Sequence, residues 1–313
     1  MKYVQAKGLD LSAFALGTVQ LGIEYGLGEH AAKPTEEAAF AILDKAVDLG
    51  VNTLDTANNY GESEAVIGRW LTKRRAEGKK LPYIVTKVGP LKHGSYDILR
   101  DDVMYQLEGC MKRLCIDKLD IFMLHDYEDY ANDRDAMQKI FAEIKAQGLY
   151  DYSAISAYSR HDYGVIAESG FDATQIPINV FDWGQIENGG LKKLEESGMM
   201  VFVRSVYLQG LVFQDPDKMD PRMEFARETL VKFRGLCAKY GLTPAALALS
   251  YALSLPGVTS LVLGSEKPEQ VEQNAALLEQ AVDLSAEQMA EIRANFIDTP
   301  VRVLNPSMWF NAC

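Results

Sequence analysis

The chain alternates between two periods along almost its whole length. Short apolar runs, such as Tyr83-Ile84-Val85-Thr86 and Leu119-Asp120-Ile121-Phe122-Met123-Leu124, have the length and composition of buried strands. Longer runs follow them in which apolar residues recur at helical spacing, as do Ala39, Ile42, Leu43, Ala46 and Val47. The pair repeats about eight times. Alternation of this kind builds a parallel sheet with right-handed crossovers. Eight units in 313 residues match a closed (β/α)8 TIM barrel. An open doubly wound sheet would favour a GxGxxG turn after its first strand, but the loop here reads Gly17-Thr18-Val19-Gln20-Leu21-Gly22. No low-complexity linker divides the chain. The expectation is one domain over residues 1–313, with an extra helix at 285–297 and an aromatic tail ending Met308-Trp309-Phe310.

Local signals agree with this frame. Thr35 is placed to cap a helix whose first turn holds Glu36 and Glu37, and Gly50 stops it. Helices are expected over residues 96–114, 136–147, 161–169, 223–240 and 243–255, with an acidic loop over residues 127–135. Net charge decides the partners. With 32 basic and 44 acidic residues, the formal charge of −12 argues against nucleic acid and anionic membrane surfaces. No run of 18 apolar residues is present, and the amino terminus lacks a signal-peptide core. Cys110, Cys115, Cys237 and Cys313 have no CxxC spacing. Reduced thiols in a cytoplasmic protein are the expectation. Oligomeric state leaves no mark in the sequence.

The stretch from Leu54 to Gly68 carries the chemistry. An apolar approach ends in Asp55, a short polar loop ends in Tyr60-Gly61, and Glu62 and Glu64 open an amphipathic run. A carboxylate at the end of a buried strand is expensive without a partner. Lys87 and His125 end two later strands, 32 and then 38 residues further on. Each interval is about one strand-helix unit. In a barrel, Asp55, Lys87 and His125 therefore lie on neighbouring strands at the rim where barrel active sites sit, with Tyr60 on the loop above. An ammonium beside a phenol favours the phenolate and makes the phenol a better acid. Tyr60 thus suits a proton donor, Lys87 its activator, Asp55 the anchor of Lys87, and His125 the group that orients a substrate oxygen. Singly, each residue is as well explained by a cap, a loop aromatic or an emerging side chain. Their joint placement carries the argument. A metal hydrolase built on His125 and Asp55 lacks the three ligands a catalytic zinc requires, so no metal is expected.

These residues resemble the aldo-keto reductase superfamily. The carriers are Leu16-Gly17-Thr18, Leu54-Asp55-Thr56-Ala57, Tyr60-Gly61-Glu62-Ser63-Glu64, Thr86-Lys87, Met123-Leu124-His125, and Pro268-Glu269-Gln270 with Asn274. The resemblance implies a (β/α)8 barrel that binds a nicotinamide cofactor without a Rossmann motif. Its Asp, Tyr, Lys, His tetrad falls on Asp55, Tyr60, Lys87 and His125. It further implies that Gly17 and Thr18 lie at the cofactor, and that Ser156 and Gln175 contact the nicotinamide carboxamide. Ser205, Leu208 and Gly210 would wrap the pyrophosphate. Gly264, Ser265, Lys267, Gln270 and Asn274 would lie at the adenosine end.

Three positions depart from the family pattern. Ala157 replaces an asparagine, and Arg204 replaces the aromatic that stacks on the nicotinamide, a task its guanidinium plane can also perform. Gly264 and Gln270 replace the basic clamp for a 2′-phosphate. NADPH is the family default and NADH the alternative. The implied reaction is reduction of an aldehyde or ketone, and the substrate is a small carbonyl compound. A cofactor-binding sensor or regulatory subunit on the same barrel is the rival reading. Phe181, Trp183, Phe213 and Trp309 are candidates for apolar pocket walls, and the acidic residues 128–135 are expected to disfavour anionic substrates.

Overall fold

A computed structural model describes residues 1–24 and 33–309. Part of the Gly-rich stretch at residues 20–30 lies outside them, as do His30, Phe310 and Cys313. The chain opens with an antiparallel hairpin of β1 (Tyr3–Ala6) and β2 (Leu9–Ser12). Lys7 and Gly8 both take left-handed conformations in its two-residue turn, as the twist of paired strands requires. The hairpin is absent from the sequence reading, because two four-residue strands leave too short a pattern.

Eight parallel strands then close on themselves. They are β3 (Phe14–Gly17), β4 (Thr53–Asp55), β5 (Tyr83–Val88), β6 (Leu119–Leu124), β7 (Tyr150–Ser156), β8 (Ala173–Pro177), β9 (Met200–Arg204) and β10 (Val258–Gly264). The order around the barrel is the order in sequence, and β10 pairs with β3 to seal it. The expected (β/α)8 architecture is the one observed.

The barrel interior explains how the site is placed. Val85, Ile121, Met123, Ala154, Ala173, Met200 and Phe202 form one buried cluster with Leu11 of the hairpin, which plugs one end. Side chains on a strand alternate between faces with a period of two. Two residues beyond the interior positions Val85, Met123, Ala154, Ala173 and Phe202 stand Lys87, His125, Ser156, Gln175 and Arg204. The polar residues are therefore the next inward layer, at the carboxyl ends of the strands.

Outside the barrel, caps fix the helix starts. The side chains of Thr35, Ser95 and Thr243 each accept a backbone N–H from the first turn of their helix. Three boundaries differ from expectation. Residues 127–135 are not a plain loop. Asp126 caps a short helix at Tyr127–Ala131, and Asp129 is buried where it accepts from Leu91 N–H and contacts His93. Asp220 caps a 3-10 turn at Pro221–Ala226, so the regular helix begins only at Arg227. The helix expected over residues 161–169 is confined to Tyr163–Ala167, where Asp162 caps it. Among the described residues no helix is long and apolar enough to cross a membrane.

The helices Ser63–Ala76 and Tyr96–Leu114 meet at Gly68. A Cβ there would lie 2.0 Å from the Arg113 carbonyl oxygen and 2.8 Å from the Leu114 carbonyl carbon. Alanine would gain about 1 kcal/mol of helix propensity over glycine. Backbone atoms cannot yield as a flexible side chain would, and forced overpacking costs about 1–3 kcal/mol. Gly68→Ala is thus expected to lower the free energy of unfolding by about 1 kcal/mol, and by no more than about 2, in urea titration. A stabilised variant would contradict this packing.

Candidate active site

Asp55 ends β4 and Lys87 sits near the end of β5. Both are buried, at 3% and 0% exposure. A charge so enclosed must be paired and fully hydrogen-bonded. Lys87 Nζ donates to Asp55 Oδ2 at 2.8 Å and to the Thr56 carbonyl at 2.9 Å. Gln175 Nε2 donates to the second oxygen, Asp55 Oδ1, at 2.7 Å. Gln175 therefore serves the carboxylate directly, a contact the sequence reading did not assign to it. The backbone is tied down as well: Thr18 Oγ1 donates to the Asp55 carbonyl, and Asn58 N–H to the Lys87 carbonyl.

Tyr60 stands over this pair. Lys87 Nζ lies 5.1 Å from its ring centroid. The His125 ring meets it edge to face at 5.8 Å and 80°. A close backbone approach holds the tyrosine loop. A Cβ on Gly22 would fall 1.7 Å from the Tyr60 carbonyl oxygen, and Gly61 takes a left-handed conformation against Gly22. His125 is itself fixed by its N–H to the Val88 carbonyl, and its Nδ1 has no partner. Burial, then the positive charges of Lys87 and Arg204, push its imidazole down to about 3. It is neutral at physiological pH.

A cleft of about 750 Å³ leads away from these groups. Gly17, Thr18, Asp55, Tyr60, His125, Ser156, Gln175, Arg204, Ser205 and Gly210 line it together with Gly264, Ser265, Gln270 and Asn274, and Gly17 and Gly264 face each other on paired strands. The sequence-expected residues are thus brought together, with three exceptions. Lys87 lies behind Asp55 rather than in the cleft. Leu208 is buried in the core, and Lys267 is exposed and not part of the lining. Of the expected apolar walls only Phe213 faces the cleft; Phe181, Trp183 and Trp309 pack in the core. None of residues 126–135 lines it. Their charges are met locally, as in the contacts of Glu128 with Arg160 and His161 and of Asp129 and Asp133 with His93.

Several further residues line the cleft: Gln20 and Tyr207 come from the unpatterned segments 20–30 and 206–222 expected to build the pocket, Glu266 flanks Lys267, and Tyr158 alone carried no signal in the sequence. Gln20 Oε1 is buried without a partner, close to Gly264, where a Cβ would come within 2.4 Å of the Gln20 amide nitrogen. Tyr207 donates to Asn274 Oδ1 at 3.1 Å, and burial pushes its phenol above its usual value. The Glu266 N–H donates to Gln270 Oε1 at 2.6 Å, which fixes the turn ahead of the helix Pro268–Gln280. An orphaned acceptor, a glycine that lets the amide carrying it approach the strand end, and a helix start with no side-chain cap fit an extended, hydroxyl-rich and phosphate-bearing ligand.

The model of the Aldo/keto reductase family matches residues 13–295. The chain belongs to this family. An aryl-alcohol dehydrogenase of Pestalotiopsis microspora is 28% identical over 94% of this chain and 79% of its own length. The NADH-specific methylglyoxal reductase of Escherichia coli is 26% identical over 73% of this chain and 79% of its own. Among solved structures, the holo form of an aldo-keto reductase from Bacillus halodurans superposes with a TM-score of 0.75, at 23% identity over 95% of this chain and 96% of that one. This aldo-keto reductase is an NAD(P)H-dependent oxidoreductase, and its cofactor is a nicotinamide nucleotide.

The depressed imidazole of His125 has a consequence for stability. In the unfolded chain a histidine takes up a proton near pH 6.5; in the folded protein His125 resists it to about 3. Between those values the unfolded state binds more protons, so stability falls as pH falls. Replacing the imidazole removes this contribution. His125→Asn is expected to show a shallower decline in unfolding free energy than wild type between pH 6.5 and 5, read from urea titrations across that window. Parallel curves would mean that His125 titrates normally.

Proposed function

We propose that this aldo-keto reductase reduces an aldehyde or ketone to the alcohol with Tyr60 as proton donor. The observation that carries the reading is the convergence of Tyr60, Lys87 and His125 beside the Asp55–Lys87 pair at the barrel rim. Bound reduced nicotinamide supplies the hydride. Tyr60 delivers a proton to the carbonyl oxygen as negative charge develops there. Lys87, anchored by Asp55 and Thr56, stabilises the negative charge left on the phenol oxygen. Neutral His125 offers one N–H to the substrate oxygen and does not compete as an acid. Gln175 keeps Asp55 aligned. A cofactor would lie against Gly17, Thr18, Ser156 and Gln175 at its reactive end, and against Ser205, Gly210, Gly264, Ser265, Gln270 and Asn274 beyond.

General acid catalysis contributes about 10²–10⁴ in rate. Tyr60→Phe is expected to lower kcat by at least about 10² with a model aldehyde, while fluorescence titration shows NADH still bound. Turnover within a few fold of wild type would remove Tyr60 from the mechanism.

The cofactor is proposed to be NADH. Among the described residues, Arg204 is the one cation that lines the cleft, and it stands at the tetrad. The far end presents Glu266, Gln270, Gln273 and Asn274. A carboxylate suits a free ribose hydroxyl and repels a 2′-phosphate, which an arginine would accommodate. A relative that is an NADH-specific reductase supports this choice. NADH is expected to give a kcat/KM at least about tenfold above NADPH, and Glu266→Lys to narrow the gap. Equal use of both cofactors would discard this assignment.

A further inference from the structure

Ionisable groups around the reacting end of the cleft can be balanced one by one. Asp55 is neutralised by Lys87. His125 is uncharged at neutral pH. None of the acidic segment 126–135 lines the cleft, and Glu128, Asp129 and Asp133 have local contacts with Arg160, His161 and His93. Glu266 belongs to the far end. What remains is Arg204. Its guanidinium makes no ion pair with any described carboxylate, in a chain whose formal net charge is −12. In a chain with twelve more acidic than basic residues, an arginine in the cleft without a carboxylate partner asks for one.

Its geometry is that of a held donor rather than a loose side chain. Arg204 occupies the inward position two residues beyond Phe202 of the barrel interior, at the end of β9. One Nη donates to the Ala157 carbonyl at 3.2 Å and the other to Ser205 Oγ at 3.4 Å. The guanidinium lies 4.7 Å from the centre of the Tyr158 ring. A guanidinium has five N–H donors, so three remain, and the half-buried side chain lines the same cleft as Tyr60 and His125. Ala157 matters here. It acts through its backbone, since its carbonyl accepts from the guanidinium while its side chain packs in the core.

We propose that Arg204 binds an oxyanion of the substrate, so that the preferred substrates are carbonyl compounds bearing a carboxylate or a phosphate near the reducible group. Planar guanidinium donors match both oxyanions. This proposal rests on the carbonyl-reductase reading and narrows its substrate class. Chemistry at the carbonyl is unchanged: the hydride goes to carbon, the Tyr60 proton to oxygen, and the oxyanion is a spectator that fixes the approach.

The test compares charged and neutral ligands of equal size on the full-length enzyme with NADH. In steady state, 4-carboxybenzaldehyde is expected to exceed benzaldehyde in kcat/KM by at least about tenfold, the range of a hydrogen bond to a charged group. Arg204→Gln should cut that ratio about tenfold, and Arg204→Lys should restore part of it. Binding provides a readout free of turnover. Benzoate should bind the enzyme–NADH complex more tightly than benzamide, and more weakly as salt rises. Inorganic phosphate in the same titration separates the two oxyanions: competition with benzoate assigns both to Arg204, and failure to compete assigns the carboxylate alone. Thermal melts of both variants check folding. Equal ratios in wild type and Arg204→Gln would overturn the proposal. So would a variant that loses NADH affinity and slows both aldehydes alike, which would make Arg204 a cofactor residue. If no carbonyl compound is reduced, the reductase reading fails, and benzoate against benzamide still decides the role of Arg204.

Discussion

The ion pair of Asp55 and Lys87 is the constraint on which the site depends. Two opposite charges lie at the top of a barrel interior, almost without solvent. Bringing them there costs several kcal/mol of lost hydration per ion in general, and removing one partner from such a pair costs about 3–5 kcal/mol. The arrangement survives because nearly every valence is met: one carboxylate oxygen by the ammonium, the other by the Gln175 amide, and a second ammonium donor by the Thr56 carbonyl. Pairing also fixes direction. Lys87 is held with its charge under the Tyr60 ring, so the positive potential is aimed before any substrate arrives. Preorganised charge of this kind needs no reorganisation at the moment of reaction.

The pair also sets the electrostatics of the rest of the cleft. Because Asp55 and Lys87 cancel, neither offers a net charge to a ligand. Burial first, and then the charges of Lys87 and Arg204, keep His125 neutral, which withdraws a second possible cation. Among the described residues, the cleft therefore meets its ligands with one positive side chain, Arg204, and one negative side chain outside the Asp55–Lys87 pair, Glu266. An acidic chain that left its surface carboxylates facing the substrate would repel every anion. Here those carboxylates are turned into caps and local ion pairs, as Asp126 and Asp129 show.

Much of this was legible in the sequence, for a mechanical reason. The strand-helix repeat and the period-two alternation of strands act together. Once Asp55, Lys87 and His125 are placed at strand ends one repeat apart, closure of the barrel puts them side by side. Ser156, Gln175 and Arg204 were singled out only by the family resemblance, and the structure places them by the same rule on β7, β8 and β9. What escaped depends on contacts between segments with no period. The hairpin of β1 and β2 is too short to announce itself, yet Leu11 plugs the barrel. The segments that carry Gln20 and Tyr207 could be named as pocket material, but which of their side chains reach the cleft could not. Leu208 and Trp309 look like pocket residues in the sequence but turn into the core, since large apolar side chains on irregular segments go where burial is greatest.

Arg204 shows where pattern reasoning stops and geometry begins. In the sequence it is an exception at the end of a strand, explicable as a stacking plane. On the structure its plane is already engaged by Tyr158, and its edge is anchored by Ala157 and Ser205. A guanidinium stacked on one aromatic face and tethered along part of its edge has little freedom left to lose. Binding an anion to such a group avoids most of the side-chain ordering cost that a free arginine would incur on association. The substitution of an aromatic by arginine thus reads as the exchange of a stacking surface for a directional charge. The Ala157 carbonyl, which would be present with any residue there, is one of the two tethers that aim that charge.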